Sequence, residues 1–363
     1  MECRTIYRLA AILALSGLIA SPATASENVG FKDIRSLAMG GTGVAHQANF
    51  NAVVFNPALL AKAGFDLHIV SLQVTASQDI KDLVEFIDDN ADSLDNFTDI
   101  SDEAQQQLLD DMAPFDNKWM GAQAAPQIGF ATRGFALGVY GTGDVDFRVD
   151  KGIIPPRIGA KGRIDRVIVG AAALKAPTAV ANILPGQTWI GGTLKIIERR
   201  ETSLETSFED ADFESVVDSL EEYTTNGWGF DVGLLWDAPG GGLTLGANLV
   251  DLIGSLGDDS PPMVVNVGGA YRLSEKLTLA ADIDDLFFHE GMSFFNRVYI
   301  GGEFLPAKFF ALRGGFGQGY PSFGMGLDFS VLRLVAAVYG LERTDNPGGE
   351  SDYNYVARLV LGY

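Results

Sequence analysis

The feature that most limits what this chain can fold into is a period-two alternation of apolar with small or polar residues, repeated along most of its length. Trp228, Phe230, Val232, Leu234 and Trp236 alternate with Gly229, Asp231, Gly233, Leu235 and Asp237. An extended segment built this way is apolar on one face and small or acidic on the other. Val298, Ile300, Gly302 and Phe304 oppose Arg297, Tyr299, Gly301 and Glu303, and Phe323, Met325, Leu327 and Phe329 oppose Gly324, Gly326 and Asp328. After the first 25 residues no run of 18 apolar residues occurs, so the pattern calls for strands and not for membrane-spanning helices.

Fourteen such segments can be read, near 65–77, 126–133, 135–149, 163–176, 187–200, 226–238, 243–255, 263–273, 277–287, 297–305, 309–318, 322–330, 333–343 and 353–363. Connections after even-numbered segments are mostly short, such as Arg133-Gly134, Ser274-Glu275-Lys276 and Pro306-Ala307-Lys308. The longest, at 78–125, 151–162 and 201–225, follow odd-numbered ones. A soluble sandwich has no reason to sort loop length by parity, whereas an outer-membrane barrel has short periplasmic turns and long outer loops. The predicted fold is therefore all-β: a transmembrane antiparallel β-barrel of about fourteen strands over residues 64–363. The facing of the segments at 163–176 and 333–343 is left open by their pattern.

Two parts do not alternate. Residues 1–25 read as a secretory signal, with Arg4 and Arg8 before an apolar stretch Leu9 to Ile19 and a small-residue cleavage site Ala23-Thr24-Ala25. Cys3 lies ahead of the apolar stretch, and the mature chain then has no cysteine for disulfides or thiol chemistry. Residues 26–63 hold Gly40-Gly41-Thr42-Gly43 and Asn56-Pro57-Ala58-Leu59-Leu60-Ala61. No Lys-Ser/Thr follows the glycines, so a phosphate loop is rejected. Pro57 suits a first helical position and the alanines suit a helix, so a compact α-helical plug is expected.

Charge narrows the partners. The net charge of −21 makes a repulsive surface for polyanions, which argues against nucleic acid and bare anionic lipid. From Asp79 to Asp111 there are twelve Asp or Glu against Lys81 alone, and from Glu201 to Glu222 nine acids and no base. The stretch 79–115 also carries Ile80, Leu83, Val84, Ile87 and Leu94 at helical spacing, with Ser101 as a helix N-cap before Leu108 and Leu109. A helical acidic extracellular loop, lying over the outer mouth, is expected. These acids read first as a solvated surface; the sharper alternative is bridging to lipopolysaccharide through divalent cations. No loop spacing with a central glycine supports a dedicated metal site.

A resemblance attaches to these residues. The Met39-Gly40-Gly41 stretch followed by Asn56-Pro57-Ala58-Leu59, ahead of fourteen strands, resembles the FadL-like outer-membrane superfamily, in which this region forms a hatch inside the barrel. The wording of Ala38 to Ala45 and Asn56 to Ala61, with an acidic insert after the first strand, is most similar to the TraF-like conjugal-transfer family. The steps at 301–304, 312–316 and 324–329 also look like the closing strands of FadL-like and PorV-like barrels. The last strand departs from these, with Arg358 where assembly signals commonly carry Gly, yet it ends in the aromatic Tyr363 that the barrel-assembly machinery reads.

The resemblance implies a protein of the bacterial outer membrane, among lipids and lipopolysaccharide, that binds or passes a hydrophobic small molecule such as a long-chain fatty acid through a plugged lumen. Its hatch residues would be Gly40, Gly41, Gly43, Asn56, Pro57 and Ala58. By strand phase Asp231, Arg272, Asp282, Asp284, Arg297, Glu303, Arg313, Asp328 and Arg358 face inward, and Arg297 and Arg313 are the candidates for a ligand carboxylate, with Arg272 and Glu303 beside them. The competing reading of these charges is mutual pairing that braces the barrel. The alternative function is a noncatalytic structural barrel that serves a conjugation or secretion partner. No cofactor or metal is implied. Catalysis has little to draw on: His46, His68 and His289 are the three histidines, and no Gly-x-Ser-x-Gly or His-Glu-x-x-His motif occurs. Asp66 and His68 share one face of the first strand but would need a serine brought to them. Inward glycines such as Gly301, Gly315, Gly324 and Gly326 either open room for a ligand or let the hatch approach the wall.

Overall fold

The computed structural model describes residues 31–181, 185–208, 223–258, 260–287, 293–342, 348 and 351–363. The expected signal at 1–25, His289 and most of the second acidic loop lie outside the described residues. Fourteen strands run in order as β1 Asp66–Ser77, β2 Trp119–Thr132, β3 Phe135–Asp150, β4 Arg157–Lys175, β5 Gln187–Ser207, β6 Tyr223–Asp237, β7 Leu243–Leu256, β8 Val264–Arg272, β9 Leu277–Ile283, β10 Val298–Ala307, β11 Phe310–Gly317, β12 Tyr320–Asp328, β13 Leu332–Glu342 and β14 Ser351–Gly362. Each pairs antiparallel with its chain neighbours, and β1 closes on β14, with Leu72 opposite Leu359 and Gln73 opposite Arg358. Closure leaves no free edge, so every ladder is satisfied within the wall.

The alternation sorts residues between lipid and lumen. Leu137, Val139, Ile168, Leu194, Ile196, Ile300, Leu312, Met325 and Leu359 are exposed on the outer face, while Ala136, Tyr140, Val167, Val169, Ile197 and Val356 are buried inside. A continuous apolar belt of this extent is not tolerated in water and marks a membrane barrel. Aromatic pairs cluster at the short-turn end: Phe65 with Tyr363 (ring centroids 6.0 Å apart), Phe130 with Phe135 (5.9 Å) and Phe309 with Phe329 (6.4 Å). The open facings are decided. Asp165, Val167 and Val169 of β4 point inward, and in β13 Val335, opposite inward Arg358, does the same.

The wall is uneven in height. β4 has 19 residues and β5 has 21, against 8 in β11 and 9 in β12. β2 and β4 start earlier than the hydropathy pattern indicates, and β5 ends later, so the connection expected at 151–162 shrinks to 151–156. Beyond the membrane the ladder continues through polar pairs such as Lys161 opposite Ser203 and Arg157 opposite Ser207. Where neither face meets lipid, apolar alternation is no longer demanded, and the strand leaves no such signature.

The acidic insert is helical, over Ile80–Asp89, Ala91–Asp95 and Asp102–Asp111, and Ser101 caps the last of these by accepting from the Ala104 N–H at 3.3 Å. Its place differs from the expected lid. Leu83, Ile87, Leu94, Phe97 and Met112 pack on Met120, Val149, Ile158 and Phe208. These four share strand parity with outward-facing Ile128, Val139, Ile168 and Ile196. The helices therefore lean on the outside of the tall β2–β5 wall, where that extension offers an apolar surface for the insert to cover.

Candidate functional site: the hatch and its locks

Residues 31–63 lie inside the barrel as helix Ile34–Ala38, helix Ala52–Phe55 and a 3-10 turn Pro57–Lys62. Phe31, Phe50, Val53, Leu59 and Leu60 form one core with Tyr140, Val167, Val169, Ile197 and Leu235 of the wall. The glycine stretch turns sharply, Gly40 at φ +74° and Gly41 at φ +111°, which side chains rarely adopt. The Gly40 N–H donates to Ser322 Oγ at 2.9 Å, and the N–H groups of Gly43 and Val44 donate to Asp282 Oδ2 at 2.6 and 2.9 Å. Asn56 accepts from the Ala58 N–H at 3.0 Å and donates to the carbonyls of Val44 (3.0 Å) and Leu234 (3.1 Å).

The wall is shaped to this backbone. A β-carbon on Gly301 or Gly315 would collide with Met39 and Gly40, one on Gly233 or Gly191 with the Asn56-Pro57 step, and one on Gly324 would lie 2.6 Å from Ala38 Cβ. The wall glycines Gly301, Gly315 and Gly324 thus give the hatch its approach, whereas Gly326 makes room for the Arg313 guanidinium, 2.8 Å from its ideal Cβ.

Charged locks join hatch and wall. Arg35 donates from Nε and Nη2 to Glu303 at 2.9 and 2.7 Å, and Arg313 Nε reaches the same carboxylate at 2.7 Å. Asp33, N-cap of the first helix, accepts from Asn51 Nδ2 at 2.8 Å and from Arg358, which also holds Ser71 (2.9 Å) and Gln127. Asp66 accepts from the Phe50 N–H at 2.9 Å and pairs with Arg333 at 2.7 Å and His68 at 3.3 Å. The Asp66–His68 pair is thus a bracket for the hatch. Lys62 closes the far end on Asp237 at 2.8 Å. In the hatch itself, burial first and the Arg35 charge second hold the His46 imidazole down to about 3, while Glu303 holds the Arg35 guanidinium up against its burial.

The four lumen candidates are not one cluster. Glu303 and Arg313 are register partners and meet. Arg297 lies just before β10, in the 3-10 turn Phe294–Arg297, where Nη1 donates to the Asp285 carbonyl (2.8 Å) and carboxylate (2.7 Å). It is six residues from Glu303, roughly 20 Å along an extended strand. Arg272 ends β8 and is exposed at the rim. Arg313 Nη1 is buried beside Gly326 with no hydrogen-bond partner. Sequence reasoning missed Asp33, Arg35, Ser322, Gln127 and Gln73, whose Oε1 accepts from the Ile34 N–H at 3.0 Å; of these, Asp33 just ahead of a helix was a readable N-cap signal.

On the outer side of the hatch, Lys32, Tyr299, Gln318, Tyr320 and Tyr339 line a narrow crevice with about 20 Å³ of room, enough for a water molecule and not for a hydrocarbon. Among the described residues no group of three or more His, Cys, Asp or Glu is placed to hold a metal ion.

A closed fourteen-stranded barrel, apolar outside and filled by an N-terminal hatch, is a plugged outer-membrane β-barrel of FadL-like fold. Within that class the chain belongs to the family described as "F plasmid transfer operon, TraF, protein", which it matches over residues 53–289. The P. putida toluene transporter TodX shares the fold with a TM-score of 0.56 at 13% identity, over 93% of this chain and 99% of TodX. The Ralstonia pickettii toluene transporter TbuX (0.50, 14%, 92% and 98%) and the monoaromatic hydrocarbon channel CymD (0.52, 11%, 92% and 98%) do so too. At these identities the likeness is one of fold. No curated protein matches the sequence.

Proposed function

We propose that this chain is a noncatalytic barrel of the outer membrane that binds or passes small hydrophobic molecules past its hatch. The observation that carries the reading is the nature of the plug: a short segment inside a FadL-like wall, packed on it through an apolar core at one side and held elsewhere by discrete, separable polar locks. TodX, TbuX and CymD, described as transporters or channels of toluene or monoaromatic hydrocarbons, support the substrate class. A long-chain carboxylate such as a fatty acid is the finer version. Arg313 is its best-placed receptor, since Nη1 of its guanidinium has no hydrogen-bond partner. Arg297 is engaged by Asp285 and Arg272 stands at the rim, which makes them weaker candidates.

The test is uptake by proteoliposomes holding the full chain, with toluene and a long-chain fatty acid offered in turn. Uptake of both supports passage of hydrophobic molecules; uptake of the acid that falls in Arg313→Gln while toluene persists supports the carboxylate reading. Uptake of neither removes both.

A second reading, a structural barrel serving a conjugation partner, has its own support in the match to the TraF family and in the close packing of hatch on wall glycines. Co-purification of a fixed protein partner with a barrel silent in uptake favours it.

A further inference from the structure

Charge is distributed unevenly along the barrel axis. The long-loop end bears the acidic insert, with twelve acids and one base between residues 79 and 111. The short-turn end has the opposite character. Its connections and strand ends expose Arg133, Lys175, Lys276 and Lys308, on four different hairpins. None of these four is in an ion pair among the described residues, and Lys276 Nζ donates only to the Pro306 carbonyl, at 3.4 Å. The deeper cations of this end are already neutralised, Lys62 by Asp237, Arg333 by Asp66 and Arg313 by Glu303. Two exposed acids, Glu275 and Asp328, stand against these four cations and the exposed Arg272 of the same rim, which has no ion pair among the described residues either.

A second observation fixes the level of these cations. Arg133 sits in the turn between Phe130 and Phe135, whose rings meet, and Lys308 precedes Phe309, whose ring meets that of Phe329. Lys175 follows Leu174, 61% exposed on the outer face. Aromatic rings of this kind mark the boundary between acyl chains and headgroups. A lysine or arginine one residue beyond that boundary can lay its stem along the apolar belt and place its charge among phosphates. With short turns toward the periplasm, the leaflet in question is the inner, phospholipid one.

We propose that the short-turn rim of the barrel is a docking surface for the headgroups of anionic phospholipids in that leaflet, held by Arg133, Lys175, Lys276 and Lys308. The free-cation surplus gives the sign of the ligand, and the adjoining aromatics give its depth. Juxtamembrane cations each favour an anionic lipid severalfold, so four together should be legible in the lipid that remains bound.

The full chain is placed in nanodiscs of equimolar phosphatidylglycerol and phosphatidylethanolamine, and the lipid it retains is counted by native mass spectrometry. The wild type is expected to keep phosphatidylglycerol over phosphatidylethanolamine by roughly tenfold. The R133Q/K175Q/K276Q/K308Q variant is expected to fall to near parity while keeping heat-modifiable gel migration. Should the quadruple variant fail to assemble, K276Q/K308Q carries the test and must lower the ratio. Equal retention of the two lipids by the wild type overturns the proposal, as does an unchanged ratio in the variants.

Discussion

Arg35 of the hatch helix grips Glu303 of β10 through two parallel hydrogen bonds, 2.9 Å from Nε and 2.7 Å from Nη2. The residues stand 268 positions apart in the chain, so the bond ties plug to wall and contributes nothing to local structure. Arg313 shares the carboxylate, and one anion thereby answers two guanidiniums. Such fork-on-carboxylate contacts are among the stronger directional ones, and breaking a buried one leaves uncompensated charge. Glu303→Gln is expected to weaken hatch docking by about 3 kcal/mol. Hydrogen exchange of amides 34–45 would then quicken roughly 100-fold with the barrel intact; unchanged protection would show that the pair does not hold the hatch.

The glycine wall makes a paired prediction. Gly315→Val would drive a side chain into Gly40, whereas Gly314→Val, one residue on, points at lipid with its nearest neighbour 3.8 Å from the new β-carbon. In planar bilayers Gly315→Val is expected to show ion conductance from a displaced hatch, and Gly314→Val to stay closed. Equal behaviour of the two would mean that the hatch does not depend on this contact.

His46 gives the hatch an acid sensitivity. Its imidazole is held down to about 3 in the folded hatch, chiefly by burial, against roughly 6.5 when free. The unfolded hatch therefore takes up the proton more readily. Stability from this group is full above about pH 6.5 and is lost as the pH falls from there toward 3. Hatch amides, corrected for intrinsic exchange, should be less protected at pH 4.5 than at pH 7, and His46→Gln should remove that difference. An acid loss that persists in the variant would assign the effect elsewhere.

The acidic insert is predicted to be a buttress. Leu94→Asp with Phe97→Asp removes two buried anchors from its contact with the outer wall. Proteolysis within 80–115 should then rise steeply, while the barrel remains as closed to ions as the wild type. An opened conductance would instead make the insert a lid.

Strand number and turn placement were legible because lipid on one face and lumen on the other enforce period two within the membrane. The same cause hides the rest. Above the membrane β4 and β5 continue without alternating, and the outward parity of Met120, Val149 and Ile158 acquires a protein partner that no local pattern announces. Gly301 and Gly315 declared that something comes close but not what. Asp33 and Arg358 meet across 325 positions, a distance at which sequence pattern carries no information on contact. Arg297, read as the start of β10, belongs to the 3-10 turn just before it, where its guanidinium pairs with Asp285.

The most direct measurement of the central claim is native mass spectrometry of the full-length protein extracted gently from outer membranes. The proposed function predicts a retained small hydrophobic molecule, displaced when Glu303→Gln loosens the hatch and, for a carboxylate ligand, lost in Arg313→Gln. A barrel that comes out empty in every preparation and carries a protein partner instead would contradict it.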